Sequence, residues 1–319
     1  MNATLSQVYG LVERFSRNAA GLAIIAIVAL RIFGYQIPIS AQIVIALSAL
    51  LIGIPHGAID HLIALPKDPR ARFILYIVIY TAVAILAGWG IATWNRYGFI
   101  AIVLLSATHF GFGDASFANE WRDAQGSPRY SRLVEISYAL PAGLLPVILP
   151  LTDSRALSAL NRINPALADW SGTQTQLLRN LVLAITVVAL VVMVVSDSWQ
   201  LFTDLLLLAV LSLSAPPLIA FALYFGCWHA VRHTARLVAK LPSAQQQVSQ
   251  GSVRGALWAA IRPGLYAVAG VLALAVGLLV LNPAHFGSSL LWSSLVIVWA
   301  LTVPHMATTA RFDLRSLRA

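Results

Sequence analysis

Seven histidines are spread along the 319 residues, and most stand in short polar clusters inside long apolar runs. His56 and His61 lie in Pro55-His56-Gly57-Ala58-Ile59-Asp60-His61, and His109 in Thr108-His109-Phe110-Gly111-Phe112-Gly113-Asp114. His229 and His233 belong to Trp228-His229-Ala230-Val231-Arg232-His233, and His305 to Val303-Pro304-His305-Met306. Imidazole ligates iron, copper and zinc and brings no charge of its own, which suits a metal site in apolar surroundings. His229 and His233 are four residues apart, so on a helix they share one face and can hold a single ion together. His56 and His109 would complete a four-imidazole set. Around Fe(II), with positions left open, such a set could bind dioxygen, although the commoner non-haem iron pattern is two histidines and one carboxylate.

Carboxylates stand close by. Asp60 follows His56 by four residues and is expected on the same helix face, where it could accept the second ring proton of an imidazole. Asp114 is the corresponding acid of the second cluster, and either acid could instead pair with Arg232 in a structural ion pair. His61 and His305 are expected to support the ligands from behind or to hydrogen-bond between helices. His285, in Asn282-Pro283-Ala284-His285, is expected to be solvated in an outer loop. Gly111-Phe112-Gly113 predicts close helix contact or local unwinding, not a nucleotide loop. The sequence carries no GxxxxGK, HExxH or GxSxG motif, so phosphate-loop, zincin and serine-hydrolase chemistry lack support.

The elements that must position these residues follow from composition. With 59% apolar and 10% charged residues, the chain has more apolar surface than one water-facing core can take up, so the excess is expected to face lipid. A single cysteine, Cys227, excludes an internal disulfide framework, and basic patches interleaved with aromatics, as nucleic-acid binding requires, are missing. At 1.5 Å per residue a helix needs roughly 20 residues to cross the hydrocarbon. That ruler predicts an all-α bundle of about ten spans near 20–36, 41–65, 73–94, 99–117, 133–151, 177–195, 201–213, 217–237, 265–281 and 290–310. Pro216-Pro217 leaves 201–237 open as one kinked span or two pieces. Residues 1–19 are expected as a short cytoplasmic segment with no cleaved signal peptide, and 245–252 is the one linker-like polar stretch. Most basic residues fall in alternate loops, which the net charge of +9 concentrates there, so both ends are expected in the cytoplasm. The expectation is one integral domain over 1–319, multi-pass in the cell (inner) membrane. With that topology the second, fourth, eighth and tenth spans run the same way, and His56, His109, His229, His233 and His305 all fall in their inner halves.

PHGAIDH at 55–61, HFGFGD at 109–114, WHAVRH at 228–233 and PHM at 304–306 together resemble the Brp/Blh family of bacterial and archaeal membrane proteins, the beta-carotene 15,15'-dioxygenases. The resemblance runs over nearly the whole chain. It implies cleavage of the central double bond of beta-carotene by dioxygen into two all-trans-retinal molecules, commonly to supply a microbial rhodopsin. It also implies Fe(II) held by His56, His109, His229 and His233. A long, water-insoluble polyene partitions into the bilayer, so its cavity is expected to be an apolar tunnel open to lipid, with Phe110, Phe112, Tyr224, Phe225 and Trp228 as lining candidates. Other readings meet difficulties. A retinal-binding rhodopsin needs a lysine inside a span, yet the two lysines, Lys67 and Lys240, lie in basic loops. A di-iron desaturase or hydroxylase calls for more histidine boxes than one HxxxH. A transporter with a His/Asp proton relay would show repeated broken helices, which are not apparent.

Overall fold

The apolar runs become helices. The structure, a computed structural model, describes residues 3–64, 70–281 and 288–318, so His285 lies outside the described residues, as does the side chain of His61. In chain order the helices are α1 (Ala3–Ile32), α2 (Ile39–Gly57), α3 (Asp60–Ala64), α4 (Arg70–Thr93), α5 (Asn95–Gln125), α6 (Arg132–Leu151), α7 (Ser154–Ile163) and α8 (Pro165–Ala168). They continue with α9 (Thr175–Val195), α10 (Trp199–Ser214), α11 (Pro217–Leu223), a π-helical turn (Tyr224–His229), α12 (Ala230–Val238), α13 (Pro242–Ser249), α14 (Val253–Ile261), α15 (Leu265–Leu281) and α16 (Ser288–Arg318). Among the described residues no strand occurs, and the molecule is an all-α bundle.

Each of the ten predicted stretches is helical over most of its described length, yet among the described residues length and composition qualify eight helices as able to cross a membrane. Trp199–Ser214 is apolar but shorter, and the next stretch is broken into α11, the π turn and α12. Between α10 and α11, Ala215 and Pro216 take extended backbone, so 201–237 is two helices and not one kinked rod.

Three boundaries differ from the sequence reading, each for a physical reason. α1 begins at Ala3 and not near residue 20, because Val8, Tyr9, Val12, Glu13, Ser16 and Ala20 recur at helical spacing and are buried against the bundle. The predicted 41–65 helix ends at Gly57, and the chain turns through Ala58 and Ile59 before Asp60 opens α3. The linker-like stretch 245–252 is mostly α13, anchored by buried Ala244 and Val248.

α5 and α6 form the centre. Gly126, at φ +73°, ends α5 in the left-handed conformation, and Ser131 caps α6, returning the chain alongside. Their backbones touch where Gly111 faces Ala139 and Gly143 faces Ala107: a Cβ at either glycine would collide with the opposing carbonyl. The expected close contact at Gly111 is therefore present, and α5 runs through it without unwinding.

Several charges of the bundle are paired in its interior, among them Arg236, which the sequence placed in an inner loop. Arg232 Nη1 meets Asp204 Oδ2 at 2.9 Å with both side chains 1% exposed, and Arg17 meets the same carboxylate at 2.6 Å. Arg236 bridges Glu120 at 3.0 Å and Asp313 at 2.7 Å. These pairs join α1, α5, α10, α12 and α16 around one end of the histidine helices. Pairing is what lets such charges be buried at all.

Candidate metal centre

Five histidine rings meet at the middle of this arrangement: His56 from α2, His109 from α5, His229 from the π turn, His233 from α12 and His305 from α16. All are buried, between 1% and 7% exposed. His56 lies 5.6 Å from His229 and 5.1 Å from His233, centroid to centroid. His109 lies 5.0 Å from His229 and 5.2 Å from His305. The five histidines that the sequence placed at one level, His305 among them, thus lie side by side.

Local backbone explains the gathering. In the π turn the Ala230 N–H reaches back to the Phe225 carbonyl, adding a residue to the helical turn and changing the direction of His229 relative to His233. Gly226 lets that turn press against Ala49 of α2, and Gly53 leaves the space that the Phe225 ring fills. Gly113 lies under the His229 ring, where a Cβ would press on the imidazole at 3.3 Å, and Gly57 lies beside the His305 ring, where a Cβ would make ordinary contact at 3.5 Å. Gly113 is therefore room for a ring.

Several ring nitrogens have no partner within the protein. His56 Nδ1, His109 Nε2, both nitrogens of His229, His233 Nδ1 and His305 Nε2 are buried with no hydrogen-bond partner. Each such group costs on the order of 1–3 kcal/mol, a penalty that ligation of an ion would remove. The tautomers of two are fixed from behind. Thr309 Oγ1 donates to the carbonyls of His305 and Met306, so at 3.2 Å it accepts the Nδ1–H of His109. Asp60 accepts the Nδ1–H of His305 at 2.8 Å. In both rings Nε2 then carries the lone pair. The donor set fits a borderline metal such as iron. With the rings as they stand, no group of three His, Cys, Asp or Glu among the described residues is arranged to hold a metal ion.

The carboxylates take other places than expected. Because α2 ends at Gly57, Asp60 leaves the face of His56 and binds His305, with the Tyr80 hydroxyl donating to it at 3.4 Å. Asp114 meets no imidazole: Tyr224 Oη and Trp228 Nε1 donate to it, each at 3.1 Å. Arg232 pairs with neither acid but with Asp204.

The aromatic candidates divide. The Phe110 ring is 4.4 Å from His229, and Phe225 is 5.9 Å from His56, so both border the cluster. Phe221, which the sequence reading passed over, stacks on Phe225 at 6.0 Å and is 38% exposed at the surface of the bundle. Tyr224 is held by Asp114 with its ring 6.1 Å from His229. Trp228 is clamped between Asp114 and the Arg232 guanidinium, 3.9 Å above its ring, and so serves packing. Phe112 is half-buried against the main apolar core. A cavity of about 10 Å³ lined by Asp60, His233, Arg236 and Thr309 adjoins the rings, far smaller than the tunnel expected for a polyene.

The family model for beta-carotene 15,15'-dioxygenase matches residues 47–313. The chain belongs to the beta-carotene 15,15'-dioxygenase family. Among curated proteins it is 29% identical over 300 residues to the probable beta-carotene 15,15'-dioxygenase Blh of Halobacterium salinarum, covering 83% of this chain and 82% of that protein. No solved structure matches it. All five clustered histidines and both Asp60 and Asp114 fall inside the matched stretch, whereas the whole of α1 precedes it.

Asp114 has a checkable part in this dioxygenase-family site. Through Tyr224 and Trp228 it holds the π turn that carries His229. Asp114→Ala is expected to weaken metal affinity or activity by about 10–100-fold without abolishing it. Titration of purified variant with iron reads this directly; wild-type affinity and activity would leave Asp114 a purely structural residue.

Proposed function

We propose that this chain is an iron-dependent beta-carotene 15,15'-dioxygenase that works from within a membrane, with His56, His109, His229 and His233 holding Fe(II). The observation that carries the reading is the set of buried imidazole nitrogens without partners, gathered at one point from separate helices within the region matched by the family model. The reaction balances as one C40 polyene plus one O2 giving two C20 aldehydes, so no reductant is consumed. Fe(II), when bound, would supply the one-electron chemistry that lets ground-state dioxygen react.

The protein's share is position and exclusion of water. Asp60 and Thr309 present Nε2 of His305 and His109 towards the cluster. Phe110 and Phe225 form an apolar wall beside the histidines, against which a polyene can lie in register with the metal. Phe221 and Phe225 lead from the exposed face towards His229, a direction of entry suited to a substrate dissolved in lipid. Membrane embedding is supported by the eight long apolar helices and by the exposed Leu22, Ile25, Ile43, Leu47, Ile74 and Val78 on α1, α2 and α4. A cell (inner) membrane location and retinal supply to a microbial rhodopsin belong to the same reading. A di-iron enzyme is poorly supported, because one cluster takes five of the seven histidines.

The test is metal removal. Purified protein in detergent is expected to convert beta-carotene to retinal, to lose that activity on dialysis against an iron chelator, and to recover it with Fe(II) but not Zn(II). Activity that persists in fully iron-depleted protein would overturn the iron-dependent reading.

A further inference from the structure

We infer that His305 is a fifth protein ligand of the iron, oriented for that task by Asp60; the inference rests on the iron reading above. The ring contacts single it out. His56 to His229, His229 to His109, His109 to His305 and His305 to His56 are 5.6, 5.0, 5.2 and 5.3 Å apart, a closed loop of four rings. His233 lies 5.1, 6.0, 6.3 and 5.8 Å from His56, His229, His109 and His305, in contact with every member. In this loop His305 and His229 occupy equivalent corners, each flanked by His56 and His109. His305 thus lies beside three of the other four rings, His56, His109 and His233.

Its hydrogen bonding argues the same way. Most buried side-chain polar atoms have a hydrogen-bond partner, so a bare buried ring nitrogen asks for an explanation. In His305, Nδ1 lies 2.8 and 3.1 Å from the two oxygens of Asp60. Its Nε2 is buried without a partner. A carboxylate behind one nitrogen, with the opposite nitrogen bare, is the arrangement by which proteins orient a metal-binding imidazole and raise its basicity. Asp60 is itself buried at 4% exposure and steadied by the Tyr80 hydroxyl, and Gly57 lies flat against the imidazole. The break after Gly57 thus has a purpose in this site. It frees Asp60 from the face of His56 so that the acid can reach across to α16.

The test reads ligation and not turnover. Wild-type protein loaded with Fe(II) is expected to require five imidazoles to fit its iron X-ray absorption, an arm that needs no variant; four would overturn the assignment. His305→Ala is expected to bind iron at least about 10-fold more weakly. Adding ¹⁵N-imidazole should restore binding and couple its nitrogen to the spin of the iron–nitrosyl form in the variant and not in the wild type. Unchanged affinity, recovery without coupling, or equal coupling in the wild type would each reduce His305 to a packing or positioning residue. Asp60→Asn is expected to keep five imidazoles while lowering affinity about 10-fold. Iron binding that depends on His56, His109, His229 and His233 but not on His305 defeats this inference alone, whereas a wild type that binds no iron defeats the iron reading as well.

Discussion

Single replacements His56→Ala, His109→Ala, His229→Ala and His233→Ala are each expected to bring retinal formation to background and to strip the protein of iron, while the variants still insert and fold. The size of the effect follows from the kind of group removed. A carboxylate that orients a ligand is worth about 10–100-fold. The ligand itself is worth more, because its loss removes a metal–nitrogen bond and leaves an open coordination position in its place. Folding should survive for the opposite reason. In the protein without metal these nitrogens are unpaired and buried, so cutting one away relieves an unsatisfied group even as it leaves a small void. The helices around them are held elsewhere, by the α5–α6 backbone contact at Gly111 and Gly143 and by the Arg232–Asp204 and Arg236–Glu120 pairs. Iron content by elemental analysis, with retinal by chromatography and folding by circular dichroism, checks all three. Near-normal iron and activity in any two of the four variants would sink the four-histidine set.

How far the site could be read without coordinates depended on whether the signal was local. The helices were legible because apolar runs of membrane length have few other structures open to them, and the common depth of five histidines followed from counting spans. The HxxxH pair was local too. The extent of α1 and α5 was not, since Glu13, Arg17, Glu120 and Arg236 look like loop charges until their partners are known. Glu13 pairs with Arg17 one turn on, but Arg236 finds Asp313 from the far end of the chain. The partner of Asp60 was hidden by a break that Gly57 and Ala58 cause but do not announce: an unbroken helix would have kept the acid under His56. The π turn has no spacing of its own in the sequence, so the angle between His229 and His233 was beyond reach. Phe221 had no motif to mark it, only a stacking partner four residues later.

A bacterium that makes beta-carotene should turn from yellow-orange to pale and accumulate retinal when this chain is expressed with iron and oxygen present. Three links lead to that outcome. Buried neutral imidazoles suit iron, and the proposed Fe(II) is a metal able to handle dioxygen. Helices with apolar faces exposed along α1, α2 and α4 imply a site reached from lipid, hence a lipid-soluble substrate. Membership of the family implies which one. Central cleavage makes a sharper demand, because a C40 polyene cut at its midpoint yields a single C20 product, whereas cleavage elsewhere yields two unequal aldehydes. The structure bears on where the cut falls. Phe110 and Phe225 border His229 and His56, and Phe221 extends that wall to the exposed face, so a polyene lying along them passes beside the rings. With the cavity beside the rings only about 10 Å³, side chains must move to admit the substrate, and the stacked pair Phe221 and Phe225 is the group placed to do so. Chromatography of cell extracts reads the result. Unequal apocarotenals would move the metal away from the middle of the bound polyene, and unchanged carotene in cells holding folded, iron-loaded protein would defeat the carotenoid assignment and return the choice to a desaturase-like membrane enzyme.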